Sequence, residues 1–199
     1  MKKVRVVLYG VGEVGSRIAR FLLEKEGMEI VGAIDVAKEK VGRDMGEVLG
    51  VNRRLGVVVS DDPDAVLSGA KADVVVHTTS SFVRDVYPQI AKAVEYGVGV
   101  VSTCEELSYP YVSEPELAEK LDRLAKRHGV TVLGTGINPG FLMDTLVITL
   151  TGVCQRIDRI VVTRVMNAAT RRVPFQKKIG AGLAVNEFRE RMEKGLITG

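Results

Sequence analysis

The chain opens on a β-branched apolar run, Val4-Arg5-Val6-Val7-Leu8-Tyr9, that ends in Gly10-Val11-Gly12-Glu13-Val14-Gly15. Apolar residues then recur at Ile18, Ala19, Phe21, Leu22 and Leu23, and Gly27 closes the stretch. That stripe has helical spacing. A second apolar run, Glu29 to Ile34, ends on Asp35, which follows Gly15 by about 20 residues, the interval this pattern requires. A G-x-G-x-x-G string alone is weak and can be an ordinary tight turn. Placed between a strand and a helix, with an acid closing the next strand, it has the full context of a dinucleotide site. The first glycine makes the turn, the second lets backbone approach a pyrophosphate, and the third lets the helix pack on the strand. The helix start offers free N–H groups and the positive end of a dipole. The pattern therefore predicts cofactor binding by Gly10, Gly12, Glu13, Val14 and Gly15. Asp35 is expected on the adenosine ribose hydroxyls, which favours NAD over NADP. Lys38, Lys40 and Arg43 follow closely and can meet a 2′-phosphate, so either NAD or NADP is expected.

Strand and helix continue to alternate. Val57 to Ser60, Asp73 to His77, Val98 to Ser102 and Val130 to Leu133 read as strands. Pro63 to Leu67 and Phe82 to Tyr96 read as helices. A further helix is predicted behind Ser113-Glu114-Pro115-Glu116, which has capping-box spacing, and Gly129 stops it. Such alternation builds an α/β, Rossmann-type doubly wound parallel sheet. The domain is predicted to cover residues 1–140. Residues 141–199 read as a linking helix, Phe141 to Thr151, and the incomplete start of an α+β substrate or dimerisation domain. Its opening strand is predicted at Ile157 to Val165, followed by a loop over Pro174 to Gly182 and a helix over Val185 to Lys194. One strand and one helix bury too little surface to form a core alone. The apolar strand would lie exposed, which predicts a homodimer.

Composition excludes several functions. Lys and Arg total 28 against 25 Asp and Glu, a net charge of only +3, without the concentrated basic face of a nucleic-acid binder. Trp is absent and aromatics are 5%, too few for base-stacking platforms. No apolar run is long enough to span a membrane, and no secretory leader opens the chain. Cys104 and Cys154 are not closely spaced, no metal site is expected, and the thiols suit a cytoplasmic protein.

The remaining candidates lie at strand ends, where open α/β sheets bind ligands. In His77-Thr78-Thr79-Ser80-Ser81, Thr78 and Thr79 are expected to line the cofactor, with helix capping by Ser80 or Ser81 as the plainer role. His77 is expected to be structural rather than a catalytic acid or base. In Ser102-Thr103-Cys104-Glu105-Glu106-Leu107, Cys104 is expected to pack near the nicotinamide. A nucleophilic Cys104, as in thioester chemistry, would need a base and an oxyanion hole that the sequence does not show. Glu105 or Glu106 can anchor an ammonium group and take its proton, or simply start a helix. Asn138, in Gly134-Thr135-Gly136-Ile137-Asn138-Pro139-Gly140, can bond the nicotinamide carboxamide.

Together with Asn138-Pro139-Gly140-Phe141, Met143-Asp144 and Arg171-Arg172-Val173-Pro174-Phe175-Gln176-Lys177-Lys178-Ile179-Gly180, these blocks resemble the 2,4-diaminopentanoate dehydrogenases. That family belongs to the dihydrodipicolinate-reductase-like group and includes the native amine dehydrogenases. The resemblance implies NAD(P)-dependent oxidative deamination of a small amine, 2,4-diaminopentanoate giving 2-amino-4-oxopentanoate and ammonia. It implies Glu105 as the catalytic carboxylate and Glu106, Arg171 and Gln176 as substrate-side residues. Arg fork geometry would suit the substrate carboxylate. Members of the family are longer, so the resemblance implies an unfinished second domain. The alternatives are another imine- or aldehyde-handling reductase on the same fold, or a non-catalytic NAD(P)-binding module. Dihydrodipicolinate reductase itself fits less well, because its His-His and Lys segment after the sixth strand is not found.

Overall fold

A computed structural model describes residues 2–171 and 173–197. They fall into two compact units, divided along the chain between Cys154 and Gln155; the sequence pattern places a domain boundary earlier, after Gly140. The first unit is built on a parallel sheet of six strands: β1 (Val4–Tyr9), β2 (Met28–Ile34), β3 (Val59–Ser60), β4 (Val74–His77), β5 (Gly99–Ser102) and β6 (Val132–Gly134). Their order is β3-β2-β1-β4-β5-β6. The chain winds outward from β1 to β3, then crosses to the other side of β1 to lay down β4. This reversal between β1 and β4 is the switch point at which doubly wound sheets bind ligands.

The helices α1 (Glu13–Glu24), α2 (Met45–Leu49), α3 (Pro63–Ala70), α4 (Val83–Glu95), α5 (Pro110–Ser113) and α6 (Pro115–His128) join these strands. Side chains along a strand alternate between faces. Val7 and Tyr9 accordingly join the core containing Val86 and Ile90 of α4 and Leu121 of α6. Leu8, between them, joins the core containing Ala19 of α1 and Met45 of α2. The sheet is thus covered on both faces, which is why its strands are continuous apolar runs rather than alternating ones.

Two local expectations in the first unit are corrected. Ser113 does not cap α6: it ends the short α5, and the N-cap position is Glu114, whose side chain makes no cap bond. Glu114 pairs with Arg84 instead. After β6 the chain does not form one plain helix. Residues Ile137–Thr145 wind in wide turns, with Asn138 in an extended conformation, before α7 (Leu146–Thr151).

In the second unit, Ile157 to Val165 forms no strand, and Val161 and Val165 are 69% and 91% exposed. A strand is held by ladder hydrogen bonds to a neighbour, and the described residues of this unit contain no other strand. The predicted loop over Pro174 to Gly182 is in part a helix, α8 (Val173–Lys178), followed by α9 (Val185–Glu193). No helix among the described residues is long and apolar enough to cross a membrane.

Candidate active site

The glycine loop leaves β1 at the switch point. Gly10 has φ +94°, a conformation that strongly favours glycine. A Cβ on Gly10 would also meet the Thr78 carbonyl at 2.9 Å. At Gly15 a Cβ would overlap the Gly10 carbonyl oxygen and approach Thr78 Oγ1 at 2.7 Å. Gly12 differs. Its φ of −74° is open to any residue, and a Cβ there would meet nothing within 4 Å. The chain's own packing does not need Gly12; the gap it leaves faces outward at the start of the 12-residue α1. An empty cradle at a helix start suits a pyrophosphate. The Glu13 side chain lies aside, paired with Arg17 at 2.8 Å.

Asp35 holds this loop. Its carboxylate accepts hydrogen bonds from the N–H groups of Val11 (2.7 Å) and Ala37 (2.9 Å) and pairs with Lys40 at 3.2 Å. Burial raises the Asp35 pKa. The two N–H donors and Lys40 outweigh that effect, so it lies below the ordinary value. The expected ribose acceptor is therefore also the clamp that sets the loop. Across the switch point, Thr78 donates its hydroxyl to the Gly10 carbonyl at 2.7 Å.

His77 is fully buried. Its Nε2 lies 2.7 Å from Gln89 Oε1 and 3.0 Å from Thr79 Oγ1, and its Nδ1 lies 3.0 Å from Ser102 Oγ. Ser102 Oγ in turn accepts the Cys104 N–H at 3.1 Å. A hydroxyl that accepts there can still donate to Nδ1, which places the ring proton on Nε2, facing Gln89. Burial lowers the His77 pKa, only partly opposed by the Gln89 bond. The imidazole is a neutral tie between β4, β5 and α4, in keeping with a structural role.

Cys104 is likewise fully buried in the core, and burial pushes its thiol up. A nucleophilic cysteine needs an accessible thiolate, so thioester chemistry finds no support at this residue. Contact with a cofactor would fall to its backbone.

The two acids behind Cys104 diverge. Glu106 Oε2 accepts the Val83 N–H at 2.8 Å, satisfying an otherwise free donor at the start of α4. Its N–H donates to the Ser81 carbonyl at 3.2 Å. Glu105 is exposed. Both line a pocket of about 370 Å³ with Ser108, Tyr109, Met143 and Asp144. Asn138 is exposed beside it in sequence, and its side chain makes no hydrogen bond among the described residues. Arg171 and Gln176 belong to the second unit. There Gln176 donates to the carbonyls of Ala169 (3.1 Å) and Arg171 (2.8 Å). The Arg171 guanidinium stacks over Phe175 at 5.2 Å. Arg172 lies outside the described residues.

Sequence reasoning gave no individual role to Gln89, Ser102, Ser108, Tyr109 or Asp144. The Ser102 contact had a signal: in register, His77 and Ser102 are neighbours on parallel strands. Asp144 appeared only within the Met143-Asp144 block of the resemblance; its place in the pocket is set by the wide turns after Asn138.

Residues 4–133 match the family described as dihydrodipicolinate reductase, N-terminus. Residues 141–199 match the 2,4-diaminopentanoate dehydrogenase C-terminal domain. The whole chain is 40% identical to a 2,4-diaminopentanoate dehydrogenase of Acetoanaerobium sticklandii, covering 56% of that protein. An amine dehydrogenase of Streptomyces virginiae is 31% identical over 79% of the chain and 44% of its own length. The chain thus spans about half the length of these relatives. A solved amine dehydrogenase from Mycobacterium smegmatis superposes with a TM-score of 0.74 at 42% identity, over 78% of this chain and 45% of that one. The chain belongs to the dihydrodipicolinate reductase N-terminal family, in the branch of the 2,4-diaminopentanoate and amine dehydrogenases.

Proposed function

We propose that this chain carries the cofactor site and reacting carboxylate of an NAD(P)-dependent amine dehydrogenase acting on a small amine, 2,4-diaminopentanoate by the likeness to its relatives. The observation that carries the reading is the placement of Glu105. It follows a parallel strand on the same side of the sheet, at the strands' carboxyl ends, as the glycine loop, and it lines a pocket. The residues fit a dinucleotide: Gly12 leaves its cradle empty, α1 starts there, and Asp35 stands at the end of β2. A bound oxidised nicotinamide would supply the acceptor for the hydride of the amine-bearing carbon. Glu105 holds the substrate ammonium, takes its proton and stabilises the positive charge that develops on nitrogen. Water then adds to the iminium carbon, and ammonia leaves with formation of the ketone. Glu106 keeps the loop on α4. Arg171 and Gln176 are the proposed substrate-carboxylate residues, and Asn138, Thr78, Thr79 and the Cys104 backbone are proposed on the cofactor side.

The free thiols of Cys104 and Cys154 suit a reducing compartment, and we place the protein in the cytoplasm. The exposed apolar residues of 157–165 support association with a second copy, to be read by light scattering. The chemical reading is tested by amine-dependent reduction of NAD(P)+. The wild-type chain should reduce it with 2,4-diaminopentanoate. Glu105→Gln should bind NADH, read by its fluorescence in a chain without Trp, yet lose at least about 100-fold in rate. Equal rates in the two proteins would refute the role of Glu105.

A further inference from the structure

We propose that Asp144 binds a second ammonium group and makes the pocket selective for 1,3-diamines. The proposal rests on the amine-dehydrogenase reading above, in which Glu105 holds the reacting amine. The pocket is of a size that encloses small organic ligands. Its carboxylates come from two segments: Glu105 and Glu106 follow β5, whereas Asp144 arrives on the wide turns after β6. None of the residues lining it is a Lys, Arg or His. Glu106 is already committed through one oxygen to the start of α4. The Asp144 side chain has no hydrogen-bond or ion-pair partner among the described residues.

A separate observation in the same pocket points to a ligand. The Ser108 hydroxyl oxygen is buried to under 1 Å² and has no hydrogen-bond partner. Buried polar groups are nearly always paired, and an orphan is costly. An ammonium seated against Asp144 would supply the missing donor. Met143 and Pro139 offer apolar surface to the carbon chain, and Tyr109, 67% exposed, also lines the pocket.

The chemistry follows from charge. A substrate with amines on alternate carbons brings two positive charges into one small pocket, and each needs an acceptor once water is displaced. Glu105 serves the amine that loses hydride. Asp144, with Ser108, serves the one that does not react. A monoamine of the same length leaves Asp144 and Ser108 unpaired.

The test is calorimetric titration of 2,4-diaminopentanoate and of 4-aminopentanoate, which lacks the second amine, into the full chain, with NAD+ reduction followed in the same samples. The wild-type protein should bind the diamine more tightly. Asp144→Asn, at an exposed position, should reduce that preference about tenfold, the scale of one charge-assisted hydrogen bond. Ser108→Ala should reduce it in the same direction, and thermal melting checks that both variants fold. A preference unchanged in Asp144→Asn, or a wild-type chain that binds both ligands equally or neither, overturns the proposal. If the Asp144-dependent preference holds but neither amine reduces NAD+, the dehydrogenase reading fails and the diamine site stands.

Discussion

Gly12 and Gly15 are both glycines of one loop, yet they answer to different demands. Gly15→Ala would drive a methyl into the Gly10 carbonyl and should destabilise the fold by about 1–3 kcal/mol, measured by denaturant melting. Gly12→Ala meets only open space. Its stability should change by less than about 1 kcal/mol, while NADH affinity falls, because the methyl occupies the cradle. Loss of both in one variant would mean that Gly12 is structural. Asp35 joins the two roles. Asp35→Ser removes the partner of Lys40 and should shift preference from NAD toward NADP by about tenfold, read as the ratio of dissociation constants. Gly10 and Gly15 were legible in the sequence because backbone geometry and packing admit few other residues there, and Gly12 and Asp35 because the dinucleotide pattern fixes their spacing. Lys40 was legible only as one of several nearby cations; its pairing with Asp35 depends on how the loop after β2 folds back.

At the scale of elements, His77 ties β4 to β5 and α4 through Ser102 and Gln89. Its folded pKa is lowered by burial from 6.5, so below that value the unfolded chain binds the extra proton. Stability should therefore be lost as pH falls below about 6.5. His77→Asn should flatten this part of the profile while lowering stability at pH 8. Asp35 acts at lower pH. Its folded pKa lies below 3.8, so its contribution is present above that value and lost as pH falls further. The six strands were legible as apolar β-branched runs because both faces of the sheet are covered. Ile157 to Val165 has the same composition and forms no strand. Pattern reports what a segment favours, and a ladder needs a neighbour that the described residues of its unit do not contain. The wide turns of Ile137–Thr145 were illegible for a different reason: their local apolar content resembles any helix, and the departure begins at the extended Asn138.

For the whole molecule, two units have unequal local support. The first has two buried cores against a sheet, whereas residues 157–167 lack regular structure and carry exposed apolar side chains. Limited proteolysis should cut first within 157–167, leaving a fragment ending near Cys154 that retains NADH binding. First cuts within β1 to α6 would contradict this division. The proposed activity is hydride transfer from an amine-bearing carbon. Its most direct test is 2,4-diaminopentanoate deuterated at C4, with the reduced cofactor analysed by mass spectrometry. The account predicts one deuterium per reduced nicotinamide, formed by the wild-type chain and lost in Glu105→Gln. Reduced cofactor without deuterium, or none at all from a chain that binds both ligands, would contradict it.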